Sequence, residues 1–265
     1  MSAVVGVAER PLPLERGALR LNLIRDFEVS CGDELVEMSP SSQRLLSFVA
    51  LHDRPIRRAR VRATLWVDSS DDRANASLRS ALWRVPVPHG RPLLQASPTH
   101  LWLDPDVDVD FRSIISRAQR MLADPAAEHG APAALDVARE LSAFGDDLLP
   151  GWFDDWVIME RERFHHLRLQ ALDALGERLA AHGRLADALL VGLAAVHAEP
   201  LRESAHRLVI GVHLRQGNVA EAVRQFLSYE RLLAAELRAQ PTAQIRALIA
   251  PCLPGSIPVP RAPHA

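Results

Sequence analysis

Apolar residues recur at helical spacing between residues 71 and 85, in the stretch DDRANASLRSALWRV. At 100° per residue, one stripe of this helix has the apolar pattern of a side that packs against a core. That stripe holds Ala74, Leu78, Ala81, Leu82 and Val85. The opposite side sets two arginines around small side chains, in the order Arg73, Ala76, Ser77, Ser80 and Arg84. Small side chains let the backbone approach a flat anionic partner that guanidinium groups can bind. The stretch therefore predicts a helix for a DNA major groove; the alternative is a surface helix with a few arginines.

Two shorter helical patterns precede this stretch. The first begins at Ser39-Pro40, a pair typical of a helix start, and ends before Pro55. The second runs from Arg57 to Trp66 and points four arginines outward, namely Arg57, Arg58, Arg60 and Arg62. A polar turn then leads into the third helix, where Ser69, Ser70 or Asp71 can cap the N-terminus. Three short helices, of which the last two are joined by a tight turn, predict a helix-turn-helix unit.

Alternating patterns on both sides of these helices predict strands. Residues 19 to 30 alternate apolar and polar positions, Cys31-Gly32-Asp33 supplies a turn, and residues 34 to 38 return as the second strand of a hairpin. After the third helix, residues 93–95 and 101–103 predict two short strands around Ser97-Pro98-Thr99-His100. A hairpin directly after such a helix is a wing. The pattern therefore predicts a winged helix-turn-helix with an N-terminal sheet.

Residues 112 to 251 are nearly all helical in pattern, and they contain a repeat. The segment HGRLADA, from His182, is echoed by QGNVAEA, from Gln216, at an offset of 34 residues. This is the period of tetratricopeptide repeats, in which a glycine closes one helix and a small alanine lies where two helices cross. The expected fold class is therefore mainly α with a small β component, a winged helix-turn-helix followed by an all-helical tetratricopeptide-like domain.

The charge distribution separates the two halves of the chain. Residues 40–103 contain ten arginines and four acidic residues, a net charge of +6. Residues 104–251 contain sixteen arginines and twenty-two acidic residues, a net charge of −6. This division indicates two domains with different partners, and the basic one suits a polyanion. A chain of 265 residues has room for two domains of ordinary size.

The sequence carries no signature of an enzyme, a membrane span or a secreted protein. Neither GxxxxGK[ST] nor GxGxxG occurs, and no serine or cysteine lies in a nucleophile-elbow motif, so we expect no catalytic residues and no cofactor. The uncharged runs are too short to cross a bilayer. Cys31 and Cys252 have no partner motif and the start has no basic leader, so we expect a cytoplasmic protein without disulfides.

Two clusters allow more than one interpretation. Aspartates occupy alternate positions from Asp104 to Asp110, a pattern that could ligate a divalent cation but also occurs where a strand leaves a sheet. We expect no metal there. The cluster WFDDW, from Trp152 to Trp156, could be a knob that binds a partner protein. We favour a hydrophobic plug between the winged helix and the repeats.

Several segments resemble a known family. The OmpR-type DNA-binding domain of the Streptomyces antibiotic regulatory proteins is similar to RLLSFVALHDRPIRRARVRATLW, NASLRSALWRV and THLWLDPDVDVDF. The entry into that family's bacterial transcriptional activation domain is similar to LLPGWFDDWVIMERERFHHLRLQALDAL. The resemblance covers residues 19 to 250, with two departures. The family's S-R-L-R-R ending of the recognition helix reads Ser80-Ala81-Leu82-Trp83-Arg84 here, and Arg57 replaces the usual serine cap of the second helix.

The patterns and the resemblance together imply four segments. These are a flexible N-terminus (1–18), an OmpR-type winged-helix domain (19–104), a tetratricopeptide-like bacterial transcriptional activation domain (111–250) and a disordered tail (251–265). The resemblance implies a transcriptional activator that binds direct promoter repeats in double-stranded DNA, as a homodimer, and contacts the sigma or alpha subunit of RNA polymerase. The alternative is a protein–protein adaptor whose winged helix no longer binds DNA.

The expected DNA contacts fall into three groups. Base edges would be read by Arg73, Ser77, Ser80 and Arg84. Phosphates would be neutralised by outward or flanking arginines, namely Arg44, Arg57, Arg58, Arg60, Arg62, Arg79 and Arg91. The wing tip would reach the adjacent minor groove or its phosphates through Thr99 and His100. Trp83 lies on the outward side of the third helix, where it either stacks on a sugar or packs beneath the wing.

Overall fold

The computed structural model describes residues 17–123 and 137–253. The chain divides into two compact units, one built from residues up to Arg112 together with Leu149–Gly151, the other from Ser113–Leu148 and the residues from Trp152 onward. Most of the expected flexible N-terminus (1–18) and of the expected tail (251–265) lies outside the described residues. The elements in chain order are β1 (Leu19–Asn22), β2 (Glu28–Cys31), β3 (Glu34–Leu35), α1 (Pro40–Ala50), β4 (Ile56–Arg57), α2 (Arg58–Leu65), α3 (Asp71–Trp83), β5 (Leu94–Ala96), β6 (His100–Leu103), β7 (Val107–Val109), α4 (Asp110–Ala123), α5 (Val137–Gly145), α6 (Asp155–Ala181), α7 (Leu185–Ala198), α8 (Glu203–Arg215), α9 (Val219–Leu237) and α10 (Ala243–Ile249).

The first unit begins with a four-stranded sheet in the order β3-β2-β1-β7. The predicted turn at Cys31-Gly32-Asp33 joins β2 to β3, which pair antiparallel with Ser30 opposite Leu35. The prediction of a single strand from residue 19 to residue 30 is wrong, because the chain turns back after Asn22 and β1 pairs antiparallel with β2, with Leu19 opposite Cys31. The alternation along β1 buries Leu19 and Leu21, which are at most 1% exposed.

The fourth strand of this sheet, β7, arises from the connector that carries the alternating aspartates. β7 pairs in parallel with β1, so that Leu19 lies opposite Val107. Val107 and Val109 point inward and are buried, while Asp108 between them is exposed. The alternation is therefore the period of a half-buried strand. Within residues 17–123 and 137–253, no group of three or more histidines, cysteines or acids is arranged to hold a metal ion.

Asp110 joins the end of β7 to the start of α4. Its Oδ1 accepts the N–H groups of Leu23 and Phe111 at 2.9 and 2.6 Å, and its Oδ2 accepts that of Ile24 at 3.0 Å. Burial raises the pKa of Asp110 above its ordinary value, although these three backbone N–H groups favour the charged form. One carboxyl group therefore satisfies the backbone where β1 ends and α4 begins.

A second sheet, in the order β4-β6-β5, combines the short strand between α1 and α2 with the two strands that follow α3. The sequence pattern placed Arg57 in the second helix, but Arg57 belongs to β4 and the helix begins at Arg58. The reason is tertiary, because Ile56 and Arg57 pair with Leu101 and His100 of β6 and keep an extended backbone. β5 and β6 are the predicted wing hairpin, so the winged helix-turn-helix is confirmed.

The second unit repeats one helix pair, as the 34-residue period predicts. α7 begins at Leu185 and α9 at Val219, and both are preceded by a glycine with a φ of +78°, Gly183 and Gly217. Ala188 and Ala222 occupy equivalent positions, and both are fully buried. Glycine is required at these turns because an L side chain is strained at such a φ. The mainly helical fold class with tetratricopeptide-like repeats is therefore confirmed.

The aromatic cluster at the start of α6 divides into buried and exposed members. Trp156 is 7% exposed and packs edge-to-face on Trp152, with 6.4 Å between ring centroids. Phe153 is 82% exposed. Two of the three rings therefore pack together, and the third faces solvent.

In the described part of the chain, every helix is either too short or too polar to cross a lipid bilayer.

α7 and α8 approach each other closely at Gly192, which is buried in α7. A Cβ atom added there would lie 2.9 Å from Val209 Cγ2 and 3.3 Å from Leu208 Cδ2. Gly211, in the middle of α8, would meet no neighbouring atom within 4 Å. The missing side chain at Gly192 therefore sets how closely the two helices pack.

We expect Gly192→Ala and Gly211→Ala to change the free energy of unfolding in opposite directions. Alanine is about 1 kcal/mol more favourable than glycine inside a helix, so Gly211→Ala should stabilise the repeat unit. At Gly192 the same gain is outweighed by overpacking against Val209, which costs about 1–3 kcal/mol. Urea unfolding followed by circular dichroism measures both variants, and equal midpoints would contradict the close packing of α7 on α8.

His206 is a buried histidine in α8 with a partner on each ring nitrogen. Its Nε2–H donates to the carbonyl oxygen of Pro200 at 2.9 Å, and its Nδ1 accepts from Gln225 Nε2 at 2.9 Å. The ring stacks on Tyr229, with 4.3 Å between ring centroids. Burial lowers the pKa of His206 below 6.5, against the opposing effects of the Pro200 carbonyl and Glu203. The neutral ring is therefore the form that the fold stabilises.

We expect His206 to make the repeat unit less stable as the pH falls below 6.5. In that range the unfolded chain binds a proton that the folded chain does not, so the stabilisation present at neutral pH is lost as the pH approaches the lowered pKa. His206→Gln keeps a polar side chain but cannot titrate. The difference in urea midpoint between wild type and variant should therefore shrink from pH 7.5 to pH 5, and a constant difference would contradict the assignment.

Candidate nucleic-acid interface

α3 has one buried and one exposed side, as its sequence pattern predicts. The residues at most 4% exposed on the inner side are Ala74, Leu78 and Ala81. Leu82 and Val85 are half-buried, with Val85 beyond the end of the helix. The exposed residues on the outer side are Arg73, Ala76, Arg79, Ser80, Trp83 and Arg84, with Ser77 half-buried at the edge. The helix therefore presents guanidinium groups around short side chains.

Ser70 occupies the N-cap position of α3, but the side-chain cap bond that the sequence allowed for Ser69, Ser70 or Asp71 is not formed. Ser70 is the N-cap, with an extended backbone, and its carbonyl oxygen accepts the Ala74 N–H at 2.9 Å. Asp71 and Asp72 occupy the first turn, where their negative charges interact favourably with the helix dipole. The two acids lie at the N-terminal end of the exposed side, and Arg73, Arg79 and Arg84 follow them along it.

Two side-chain hydrogen bonds fix the rotation of α3 about its own axis. Ser42 Oγ, in α1, donates to the carbonyl oxygen of Ala81 at 3.1 Å. Arg62, in α2, donates through Nη1 to Asn75 Oδ1. The sequence pattern predicted that Arg62 points outward, but its side chain is half-buried and connects α2 to α3. These bonds orient the arginine side of α3 toward solvent.

Two more of the predicted phosphate contacts bind groups within their own unit. Arg44 Nη2 donates to the carbonyl oxygen of Leu65 at 3.2 Å and so connects α1 to the end of α2. Arg91 Nη1 donates to the carbonyl oxygen of Gly17 at 2.7 Å and lies 3.8 Å from Asp106. Their charges add to the positive field of the unit, but part of their donor capacity is already used.

The arginines of the outer face are different. Arg73, Arg79 and Arg84 on or at the end of α3, and Arg57 and Arg60 near the start of α2, are exposed. Within the described residues, their side chains take part in no hydrogen bond or ion pair, and no carboxylate neutralises Arg73 or Arg84. Their guanidinium groups are therefore available to an external anion.

The short strand β4 joins this surface to the wing. Arg57 pairs with His100 across the β4–β6 ladder, and the Arg58 N–H donates to the carbonyl oxygen of Thr99 at 2.9 Å. Residues that are about forty positions apart in the sequence are thus neighbours at the base of the wing tip. The sequence pattern suggested each of these four residues as a contact but did not predict that they would lie together.

The wing tip is a tight turn built on one serine. Ser97 Oγ accepts the N–H groups of Thr99 and His100 at 3.3 and 2.9 Å. Thr99 Oγ1 lies within hydrogen-bond distance of His100 Nδ1, at 2.9 Å. His100, the first residue of β6, is half-buried. Thr99 itself is exposed. The turn therefore presents a hydroxyl and an imidazole on a rigid support.

Trp83 is 86% exposed and does not pack beneath the wing. It borders a shallow cleft of about 390 Å³ between the end of α3 and β5, lined in part by Arg58, Arg79, Val87 and Leu94. Sequence reasoning placed Trp83 on the outward side but did not identify this cleft, because its far wall comes from the wing. An exposed indole beside two arginines offers a flat apolar surface next to positive charge.

Together these residues form a surface whose hydrogen-bonding groups match those of a DNA duplex. The face of α3 offers bidentate donors and hydroxyl groups for base edges, and the arginines of α2 and β4 offer donors for phosphates. The structure brings together Arg57, Arg58, Thr99 and His100, and it lines up Arg73, Ser80 and Arg84 on one side of α3. It turns Arg44, Arg62 and Arg91 toward neighbouring groups of the same unit.

Comparisons with known proteins agree with this architecture. The family model of the bacterial transcriptional activator domain matches residues 109–253. None of the curated proteins matches the chain.

Among solved structures, the chain is similar to Mycobacterium tuberculosis EmbR in complex with a low-affinity phosphopeptide, with a TM-score of 0.75 and 19% sequence identity. The match covers 89% of this chain and 65% of the EmbR chain, so this chain spans just under two thirds of EmbR's length. At this identity the similarity shows the fold. Because the family model spans more than half of its residues, the chain belongs to the bacterial transcriptional activator domain family, and it joins a winged helix-turn-helix to tetratricopeptide-like repeats.

Proposed function

We propose that this transcriptional regulator binds double-stranded DNA sequence-specifically, with α3 in the major groove. The observation that carries the proposal is the outer side of α3, where Arg73 and Arg84 flank Ser80 and none of the three is covered by the protein. A major groove admits a helix, and arginine reads guanine through its O6 and N7 atoms. The positive charge of residues 40–103, a net +6, supports a polyanionic partner.

Phosphate binding and base reading would fall to different residues. Arg57 and Arg60 are exposed near the start of α2, and Arg79 lies toward the edge of the α3 face. These side chains would neutralise phosphates and set the register of the helix in the groove. Arg73, Ser77, Ser80 and Arg84 would contact base edges. Thr99 and His100 at the wing tip would contact the adjacent minor groove or its phosphates.

The regulator would act on DNA as a homodimer on promoter repeats and would activate transcription by contacting the sigma or alpha subunit of RNA polymerase. The family match to a transcriptional activator domain supports activation. The acidic repeat half, with a net charge of −6 between residues 104 and 251, suits protein partners better than nucleic acid.

We expect the full chain to bind mixed-sequence duplex DNA with a steep dependence on salt. Each phosphate that an arginine neutralises contributes about −0.9 to the slope of log affinity against log salt concentration. Arg60→Ala should therefore make the slope shallower by about 1. Fluorescence anisotropy of a labelled duplex across a salt series measures both values.

The matched control for this series is Arg231→Ala, because Arg231 is an exposed arginine on α9, far along the chain from the helix-turn-helix. Its slope should equal that of wild type. A wild-type slope near zero would overturn DNA binding and favour an adaptor that uses the winged helix to bind protein.

We expect Arg84→Ala to relax sequence preference without unfolding the domain. A good bidentate contact to guanine discriminates by about 1–3 kcal/mol, and Arg84 has no internal role that its loss would disturb. Selection of binding sites from a randomised duplex library, carried out with wild type and variant, measures the preference at each base pair. Arg84→Ala should lose the preference at one position, whereas Arg60→Ala should keep the wild-type motif at lower affinity. Identical motifs from wild type and Arg84→Ala would contradict the assignment of Arg84 to a base.

A further inference from the structure

The solvent side of α7 is unusually apolar for an exposed helix face. Four residues form one exposed stripe along α7. The acidic residue in the first turn, Asp187, lies outside this stripe and pairs with Arg184 at 2.6 Å. The stripe consists of Ala186, Leu190, Leu193 and His197, and its two leucines are 54% and 45% exposed. We call these four residues the α7 stripe. From residue 188 to residue 196, α7 carries no charged or polar side chain. A helix that is apolar on all sides is normally covered on all sides.

The inner side of α7 supplies the apolar contacts that pack this helix into the repeat unit. Ala188, Val191, Gly192 and Ala195 are buried against neighbouring helices. The leucines of the α7 stripe point away from that core. The fold of the repeat therefore does not explain why they are apolar.

The second repeat provides an internal comparison. Adding the 34-residue period to the α7 stripe gives four equivalent positions of α9, all of them exposed, namely Ala220, Arg224, Leu227 and Arg231. In α9 two of the four are arginines, and Arg224 donates to Glu221 at 2.6 Å as an ordinary surface pair. The same backbone therefore accepts charge at these positions. The apolar character of the α7 stripe is a property of α7 and not of the repeat.

The order of residues in the α7 stripe suits contact with a copy of itself. Its positions are symmetric about a point between Val191 and Gly192. When two copies of α7 pack antiparallel about a twofold axis, Leu190 of each lies opposite Leu193 of the other, and Ala186 lies opposite His197. Each leucine then meets a leucine, and the small Ala186 meets the imidazole ring of His197. The centre of the contact holds no charge, so a second copy meets no like-charge repulsion, whereas the same arrangement of two α9 faces would set Arg224 of each copy against Leu227 of the other.

We propose that the α7 stripe is a homodimer contact, occupied by the same stripe of a second copy of this chain in an antiparallel, twofold arrangement. Self-complementary surfaces of this kind are the usual basis of twofold dimers. The inference goes beyond the proposed function, because the contact would form whether or not the chain binds DNA. It concerns the repeat unit alone and does not depend on how DNA half-sites are arranged.

The size of the stripe sets the expected strength. Fourteen residues of helix are about 21 Å long, and a helix is about 10 Å wide, so one face buries less than the roughly 800 Å² per partner of a standard interface. The dimer should therefore be weak and reversible.

Sedimentation velocity of the full chain without DNA, from about 1 to 200 µM, tests the proposal. The sedimentation coefficient of wild type should rise with concentration toward that of a dimer, and Leu193→Arg should remain a monomer. Leu227→Arg places the same substitution at the equivalent position of α9 and should behave like wild type. Leu190→Arg should also remain a monomer, and it should fold because α9 carries arginine at that position.

A wild-type chain that is monomeric over the whole range would overturn the proposal. So would equal loss of the dimer in Leu193→Arg and Leu227→Arg, because the effect would then not belong to α7. Circular dichroism and the thermal midpoint confirm that each variant is folded. The measurement contains no DNA, so a failure of the proposed DNA binding leaves its result interpretable.

Cross-linking tests the antiparallel geometry separately. In a Cys252→Ser background, where Cys31 is the remaining cysteine and is buried, a mixture of Leu190→Cys and Leu193→Cys chains should form a disulfide-linked dimer under mild oxidation. Each variant alone should cross-link about tenfold less, because Leu190 lies opposite Leu193 and not opposite itself. Efficient cross-linking of Leu190→Cys to itself would overturn the arrangement.

Discussion

The packing of one side of α3 on the helices before it decides what the other side can do. Ala74, Leu78 and Ala81 are small or apolar enough to be buried, and an unpaired arginine is not, because its charge cannot leave water without a partner. Rotation of α3 by one residue would bring an arginine toward the core. The hydrogen bond from Ser42 to the carbonyl of Ala81, with that from Arg62 to Asn75, removes the remaining freedom. The outward face of the helix thus follows from the burial of its inner face.

The same logic explains why not every arginine of the basic half serves the same purpose. Arg44, Arg62 and Arg91 donate to carbonyl or amide oxygens of their own unit, where they hold helices and loops in place. Arg73 and Arg84 have no such acceptor and remain exposed. The guanidinium group suits both uses because it has five donors in a fixed plane. Which use prevails at a given position depends on whether a carbonyl or amide oxygen of the protein lies within reach.

The repeat half shows how one backbone can carry two different surfaces. α7 and α9 start at equivalent positions, follow equivalent left-handed glycines and bury equivalent alanines. These shared features are the ones that helix packing requires. The solvent side has no such requirement, so α9 carries Arg224 and Arg231 where α7 carries Leu190 and His197. A difference between repeats at exposed positions therefore reports on partners and not on folding.

The sequence by itself determined the elements whose periodicity is local. The stripe of α3, the turn at Cys31-Gly32-Asp33, the wing and the 34-residue repeat could all be predicted from local pattern, because side chains three to four or two positions apart share a face whatever the rest of the chain does. The division of residues 19–30 into β1 and β2 could not, since it depends on which strand each half pairs with. The tertiary structure alone decided which arginines are free, that Ile56 and Arg57 form a strand beside His100, and that the aspartates before α4 follow a fourth strand. Each of these depends on an acceptor or a partner strand far along the chain: Leu65 for Arg44, Gly17 for Arg91, β6 for Arg57 and β1 for β7. Spacing along a sequence specifies which residues share a side of an element, but a hydrogen bond between distant residues exists only once the chain has brought its two ends together.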